Sequence, residues 1–425
     1  MQVQIEKIVY PGKSLSFCQG KTVFTDEGLP GEIVEITLLK EKGKYSEAKT
    51  IRILQTSPHR VQSRCSHYLA CSPYQSIAYA YQLEIKKAQI REIFERTLKA
   101  EWPEPVLKPS PQVWGYRNKV RFHIARKDRL AYLTYHQPGA QNEFVKVEEC
   151  FLVSEQVNAL SAAVLRMINE SQLDVIRDIE VKESSTTKEM LLVLFMNSQQ
   201  ELSNLAPKLA VLAERFLLKG IVGLLKSKKG FREILFCGEN FVQEKVADCI
   251  FSVGPQSFFQ VNVGLLEEVT ADIKKFIPQG GEEKIADLYC GIGTFGVALA
   301  SKAREVIGVE SDPENIAFLK KNLLLNRAGN FTVCEGTSEE WIPRVLKKPV
   351  DVLFLDPPRK GVDSSLIQNL HRNPVPCVIY LSCNPSTLIR DLKLLLSAYK
   401  LKDVRIYDFF PHTPHIETCV FLEKI

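Results

Sequence analysis

A chain of 425 residues, 45% apolar and 25% charged, has material for two to four domains with buried cores and the composition of an ordinary globular protein. No apolar run is long enough to span a bilayer, and Met1-Gln-Val-Gln-Ile-Glu-Lys lacks a charged stretch followed by an apolar one, so neither a membrane anchor nor a signal peptide is expected and the cytoplasm is the expected location. The 11 cysteines are scattered, as in a reducing compartment, and the net charge of +5 permits an RNA partner while leaving local clusters to decide.

Residues 1–58 read as a small β module. Val3–Ile8, Lys21–Thr25, Gly31–Leu39 and Glu47–Leu54 are strand-like runs separated by Pro11-Gly12, Gln19-Gly20, Asp26-Glu27-Gly28 and Lys42-Gly43-Lys44. Such a barrel either binds nucleic acid or only packs on its neighbour. Residues 59–255 read as a central α+β region. It opens with Cys65 and Cys71, which together with the distant Cys150 are either ligands of an iron–sulfur cluster or structural thiols. Gln75–Leu98 reads as a long amphipathic helix with Ile77, Tyr81, Ile85 and Ala88 inward, and Pro103–Pro111 as a connector. From Trp114 to His123, continuing to Arg126 and Lys127, basic and aromatic residues alternate at strand period, which suits RNA contact and equally a solvated strand face. Met190–Met196 and Gly220–Leu225 read as strands around a helix at Leu202–Leu217, and Lys226–Arg232 as a basic hairpin turn.

Residues 256–425 alternate short apolar strands with helices, which predicts a doubly wound, mostly parallel α/β sheet ending in an antiparallel pair, Asp403–Tyr407 and Thr418–Leu422. Ligands bind such sheets at the carboxyl ends of their strands, where the remaining motifs fall. Asp287-Leu-Tyr-Cys-Gly-Ile-Gly-Thr-Phe-Gly296 carries Gly291, Gly293 and Gly296 after the first strand, with Glu310 placed to hold a ribose. A nicotinamide cofactor or S-adenosylmethionine fits that fingerprint. Asp287, able to balance a positive methionine end, favours the second. Asp356-Pro-Pro-Arg-Lys-Gly361 is a rigid turn, and Arg359 stands where amine methyltransferases stack an aromatic ring on their base. Cys383 ends the strand Cys377–Ser382 and precedes a helix start at Asn384-Pro385-Ser386-Thr387, whose N–H groups are expected to lower its pKa. In Phe409-Phe-Pro-His412-Thr-Pro-His415-Ile-Glu417 the prolines preclude a zinc-binding helix, so Glu417 reads as a general base with the histidines shaping its surroundings.

One reaction uses these parts together. Uracil C5 accepts a methyl group only after a thiolate adds to C6, and a base must then remove the C5 proton from a nucleotide held out of the stack. With Ser257-Phe-Phe-Gln-Val-Asn262 added, the motifs closely resemble, in order and over the last 170 or so residues, those of the RNA 5-methyluridine methyltransferase family. The resemblance implies a class I methyltransferase domain, Cys383 as nucleophile, Glu417 as base, and Gln260, Tyr289, Glu310 and Asp356 as contacts to S-adenosylmethionine, with Asp287, Gly291 and Thr294 beside it. The N-terminal module, including Gly28-Leu-Pro-Gly-Glu32, resembles the TRAM domain of members acting on ribosomal RNA, which implies large-subunit ribosomal RNA as partner; a monomer is expected, although no motif reports the oligomeric state. Cluster-bearing relatives have Cys-x5-Cys-Gly-Gly-Cys and a distant fourth Cys. Here Cys65, Cys71 and Cys150 match while Tyr74 takes the third place, so either the iron–sulfur cluster is lost, which is the favoured reading, or three thiolates and another ligand hold it, or the site is vestigial. A 5-methylcytidine or transfer-RNA uridine methyltransferase, a nicotinamide oxidoreductase and a non-catalytic RNA-binding protein are the competing readings. Arg359, where the cytidine enzymes often carry a second cysteine after Asp-Pro-Pro, counts against the first.

Overall fold

In the computed structural model of the chain the described residues are 1–98, 101–137, 143–198, 202–228, 230–278 and 280–425. The chain begins with β1 (Gln2–Val9), β2 (Lys13–Cys18), β3 (Lys21–Thr25), β4 (Ile33–Glu41) and β5 (Tyr45–Gln55), which close into a barrel in the order β1-β2-β3-β5-β4. Alternation at period two turns Val3, Ile5, Val23, Val34, Ile36 and Ala48 inward. Sequence reading misses β2 because its inward residues are Ser14 and Ser16, whose hydroxyls bond the carbonyls of Gly28 (2.6 Å) and Val23 (3.3 Å), while Phe17 faces solvent.

A short helix α1 (Tyr68–Cys71) and a 3-10 turn at Pro73–Ser76 lead into α2 (Tyr79–Thr97). This helix starts later than expected, and its buried face is Gln82, Ile85, Lys86, Gln89, Ile90 and Phe94; of the expected stripe Ile77, Tyr81 and Ile85 do pack together, with Ile77 ahead of the helix, while Ala88 is exposed. The buried polar groups all have work: Gln82 Nε2 donates to the Tyr74 and Ile77 carbonyls, Gln89 Nε2 to the Ile8 carbonyl of the barrel, and Lys86 to Asp408. The helix is therefore wedged between the barrel and the C-terminal half. The connector that follows holds β6 (Val106–Lys108).

The central region is a sheet of β7 (Lys119–Lys127), β8 (Leu130–His136), β9 (Phe144–Lys146), β10 (Ile176–Glu183), β11 (Met190–Met196), β12 (Gly220–Ser227) and β13 (Gly230–Gly238), ordered β13-β12-β11-β10-β7-β8-β9. Helices α3 (Glu155–Ser171) and α4 (Leu202–Phe216) pack on it. A hairpin of β14 (Val242–Val246) and β15 (Cys249–Val253) joins it to the C-terminal half and shares that half's core, through Val242, Val246, Phe251 and Val253.

The C-terminal half runs α5 (Val263–Phe276), β16 (Lys284–Leu288), α6 (Thr294–Ala300), β17 (Glu305–Glu310), α7 (Pro313–Leu325), β18 (Phe331–Glu335), α8 (Ser338–Val345), β19 (Val352–Leu355), α9 (Ser364–Arg372), β20 (Cys377–Ser382), α10 (Pro385–Leu395), β21 (Tyr399–Tyr407) and β22 (Glu417–Lys424). Its sheet is ordered β18-β17-β16-β19-β20-β22-β21-β6. The first five strands are parallel, and β22 runs antiparallel to β20 and β21. The pair β21–β22 is antiparallel as expected, yet it is not the sheet edge: β6, from the connector at 103–111, adds parallel to β21 through Arg405↔Val106 and Tyr407↔Lys108. From β16 the chain winds outward to β18 and then returns to β19 on the other side, so the topological switch point lies between β16 and β19.

Candidate active site

The loop after β16 sits at that switch point. Ladder pairing of Leu288 with Leu355 places Tyr289 and Asp356 next to each other at the carboxyl edge. The glycines of the loop differ in what they do. Gly293 caps α6 at φ 88, and a Cβ there would lie 2.5 Å from Leu319 Cδ1, so it serves packing. Gly291, at φ 57, has nothing within 4 Å of its Cβ position and borders open space. A cleft of about 360 Å³, counted out to open solvent, lies there, lined by Gln260, Asp287, Tyr289, Gly291, Thr294 and Asp356. Phe258, 60% exposed, lines the same cleft; sequence reading has it within the Ser257–Asn262 motif without a role.

Glu310 lies behind the cleft. Its carboxylate accepts the Gly291 N–H (2.9 Å) and those of Ser311 (2.8 Å) and Asp312 (2.7 Å), which fixes the glycine loop against the start of α7. Asp287 accepts the Gly296 N–H with one oxygen (2.9 Å), and the other, fully buried, has no partner. Burial, then the neighbouring Asp356 carboxylate, raises the Asp287 carboxyl well above its usual range. Burial pushes Asp356 itself up to about 7. Two carboxyls and an orphaned oxygen around a cleft are an environment that a cationic ligand would relieve, so the residues present fit the sulfonium and ammonium groups of S-adenosylmethionine.

The second cluster sits beside the first. The β20–β22 ladder ends with Ser382 opposite Thr418, so Cys383 and Glu417 are the next residues to face each other. The Asp356-Pro-Pro-Arg turn is clamped over this point: the Arg359 carbonyl accepts from Asn384 Nδ2 (3.0 Å) and Thr387 Oγ1 (3.2 Å). Glu417 is buried, one of its oxygens has no partner, and burial with the Asp356 charge raises its carboxyl well above the usual range.

The thiol departs from expectation. Burial pushes Cys383 up to about 11, with Glu417 and Asp356 adding to the rise and Arg359 opposing it. Burial and the two carboxyls outweigh the helix start, part of whose donors bond locally. The Asn384 N–H bonds Ser382 Oγ, the Ser386 N–H bonds the Asn384 side chain, and the Leu388 N–H bonds the Asn384 carbonyl. The two histidines are kept neutral, each pushed down to about 4 by burial. His412 stacks on Trp114 at 3.7 Å between ring centroids, and its Nδ1 meets Gln82 Nε2 at 3.0 Å.

The family model described as tRNA (uracil-5-)-methyltransferase matches residues 78–425. The chain belongs to the tRNA (uracil-5-)-methyltransferase family. This methyltransferase is 29% identical over 445 residues to an uncharacterized RNA methyltransferase of Clostridium tetani, covering 100% of this chain and 97% of that protein. It is 30% identical over 447 residues to one of Bacillus cereus, with 100% and 96% covered. Among solved structures, the Pyrococcus abyssi tRNA (uracil-54, C5)-methyltransferase in complex with S-adenosyl-L-homocysteine shares the fold, with 22% identity and a TM-score of 0.77 over 99% of this chain and 100% of that one. The protein is an enzyme, an S-adenosylmethionine-dependent methyltransferase acting on uracil C5 in RNA.

The cysteine box of this methyltransferase does not fit a four-thiolate cluster. Cys65, Cys71 and Cys150 lie close enough to influence one another electrostatically. Their sulfurs instead meet neighbouring side chains: Cys65 contacts Gln75 Nε2 (3.3 Å), Cys71 contacts Ser72 Oγ (3.2 Å), and Cys150 takes the Tyr135 hydroxyl (3.6 Å). Tyr74, at the third position, is buried with Ile8, Leu29, Ile77 and Ile85 and meets Gln89. Among the described residues no group of three or more His, Cys, Asp and Glu is arranged to hold a metal ion.

The basic strand expected at 114–127 is β7 alone. Phe122 is buried in the core, Arg121 pairs with Asp178 (2.6 Å), and Arg126 bonds the Leu173 carbonyl (2.7 Å), so much of its polar face is engaged within the protein. No helix among the described residues is long and apolar enough to cross a membrane.

Proposed function

We propose that this enzyme makes 5-methyluridine in large-subunit ribosomal RNA through a covalent adduct between Cys383 and C6 of the target uridine, as a cytoplasmic monomer. The observation that carries the chemistry is the ladder register that sets Cys383 against Glu417 at the edge where the cofactor cleft opens. Cys383 loses its proton to solvent and its sulfur forms a bond to C6, while the C5–C6 π pair moves toward the C4 carbonyl. S-adenosylmethionine would be held between Asp287, Gly291, Glu310 and Asp356 with Gln260, Tyr289 and Thr294 around it, and would supply an electrophilic methyl group to C5, with S-adenosylhomocysteine as the leaving group. Glu417 then accepts the C5 proton, the C5–H pair becomes the new C5–C6 π bond, and the carbon–sulfur pair leaves with Cys383. Arg359, the cation that favours the ionised forms of Cys383 and Glu417, stabilises charge as it develops.

The ribosomal assignment rests on the TRAM-like barrel. A second reading, transfer RNA, is favoured by the Pyrococcus abyssi enzyme, whose fold covers 99% of this chain, barrel included. Methyl transfer from labelled S-adenosylmethionine into unmodified ribosomal and transfer RNA, with wild type and Cys383→Ser side by side and nucleoside identification, separates the readings. Label in 5-methyluridine of ribosomal RNA, absent with the variant, is expected. Label in transfer RNA alone would overturn the substrate, and label persisting in the variant would overturn the nucleophile.

A further inference from the structure

The tip of the first barrel hairpin turns toward the C-terminal half, with Pro11 exposed and Tyr10 and Gly12 partly covered. β1 and β2 are joined by Tyr10-Pro11-Gly12, closed by a bond from the Gly12 N–H to the Val9 carbonyl (2.7 Å). This tip abuts the stretch that leads into Glu417: a Cβ on Gly12 would lie 2.7 Å from Pro414 Cβ. The base of the hairpin is held on α2, where Lys7 pairs with Glu92 (2.5 Å) and Gln89 Nε2 donates to the Ile8 carbonyl (3.0 Å). Tyr10 is half-buried against the core that contains Tyr380, Leu388 and Ile416, the residues flanking Cys383 and Glu417. Its phenol is raised first by burial and then by Cys383, with Arg359 opposing and Glu417 adding, so all three groups lie within electrostatic reach of it. No hydrogen bond from its hydroxyl to another described residue accounts for its position.

We propose that Tyr10 forms one wall of the pocket that receives the target uridine, so that the barrel completes the active site besides gripping RNA. The proposal rests on the function given above. An aromatic face beside a nucleophile that must meet a splayed-out pyrimidine gives the base a stacking surface, and a phenol without a protein partner offers a hydrogen bond to its polar edge. A barrel attached by its outer surface alone would contribute to affinity for RNA and leave the chemical step unchanged.

The test uses the full chain with Tyr10→Ala, Tyr10→Leu and Tyr10→Phe. Tyr10→Leu keeps the apolar contact with the core and serves if the alanine variant fails to fold. With RNA that wild type methylates, kcat of the Leu and Ala variants is expected to fall about tenfold or more, the scale of a lost base–aromatic contact. Tyr10→Phe should retain most of the rate. The rate of adduct formation with 5-fluorouridine RNA should follow kcat. Iodoacetamide should alkylate Cys383, located by mass spectrometry, faster in Tyr10→Ala than in wild type. Variants that turn over at the wild-type rate, or that lose only in KM, would overturn the proposal, as would unchanged alkylation of Cys383. No 5-methyluridine from wild type with any RNA would refute the underlying function, and the proposal with it. Methylation by wild type with indifferent variants overturns the proposal alone.

Discussion

Replacing Lys86 by methionine is expected to destabilise the protein more than any exposed-charge substitution. Lys86 and Asp408 have fully buried side chains and meet at 2.5 Å, and the same ammonium donates to the Phe410 carbonyl (3.1 Å). At an effective dielectric of about 20 the pair attracts by roughly 7 kcal/mol, much of it offset by the cost of removing both charges from water. Lys86→Met leaves the carboxylate buried without its cation, a loss of about 3–5 kcal/mol. Lys86→Met with Asp408→Leu removes both charges together and should recover most of that loss. Urea unfolding of wild type, both single variants and the double variant, followed by tryptophan fluorescence, gives the coupling. Trp114 reports directly because it stacks on His412 in the same stretch. A coupling of about 2 kcal/mol or more is expected; one below about 0.5 kcal/mol would refute the account of α2 as the support of this stretch. Since Asp408 and Phe410 lie on the path into Glu417, the single variants should also lose kcat under conditions where they remain folded.

Burial places the Cys383 thiol near 11, so its alkylation by iodoacetamide in the free protein should climb through pH 8 to 10 without levelling, whereas an ordinary cysteine levels near 9. A plateau below pH 9 would show that the helix start does lower the thiol. The Asp287 carboxyl, raised by burial, attracts a cation only once ionised, so wild-type affinity for S-adenosylmethionine should go on rising with pH above the usual carboxylate range. Asp287→Asn keeps an acceptor for the Gly296 N–H, and calorimetry on it should show binding weakened about tenfold, with a shallower rise with pH that reflects Asp356 alone; a flat wild-type profile would exclude Asp287 as the charge partner. Anaerobically purified protein should contain no stoichiometric iron, since Tyr74 is buried among apolar side chains and the three thiols meet Gln75, Ser72 and Tyr135. Iron and sulfide in cluster proportion would contradict that arrangement.

Motifs confined to one strand end and the turn after it were legible because their geometry is local. Asp287–Gly296, Asp356–Gly361 and Ser382–Thr387 each pair an apolar run with residues that only a turn or helix start requires, and the helices indeed begin at Thr294 and Pro385. What escaped depends on pairing across the chain. β6 is an ordinary fragment of a proline-rich connector until β21 offers it an edge. β2 turns serines inward against the usual pattern. The polar stripe of α2 reads as a solvated face because its partners, Asp408 and the Ile8 carbonyl, lie 322 and 81 residues away. The lowered thiol was a sound inference from position, and it failed because burial and the facing carboxyls raise the thiol more than a helix start with part of its donors bonded locally can lower it.

That failure clarifies how the site holds reactive groups without spending them. Asp287, Asp356 and Glu417 are carboxyls raised by burial at one sheet edge, and the thiol of Cys383 shares the same surroundings. Each ionisation there opposes the next, so the free site favours protonated forms, in which the sulfur is neither a nucleophile nor readily oxidised. Arg359 alone does not outweigh three carboxyls. In the proposed reaction a cation beside Asp287 and Asp356 would supply the missing positive charge, and a uridine over Cys383 would take up the negative charge leaving sulfur. Nucleophile and base would then become competent together, when both ligands are in place. The same burial that argues against a preformed thiolate therefore supports a site whose reactivity is conferred by its substrates.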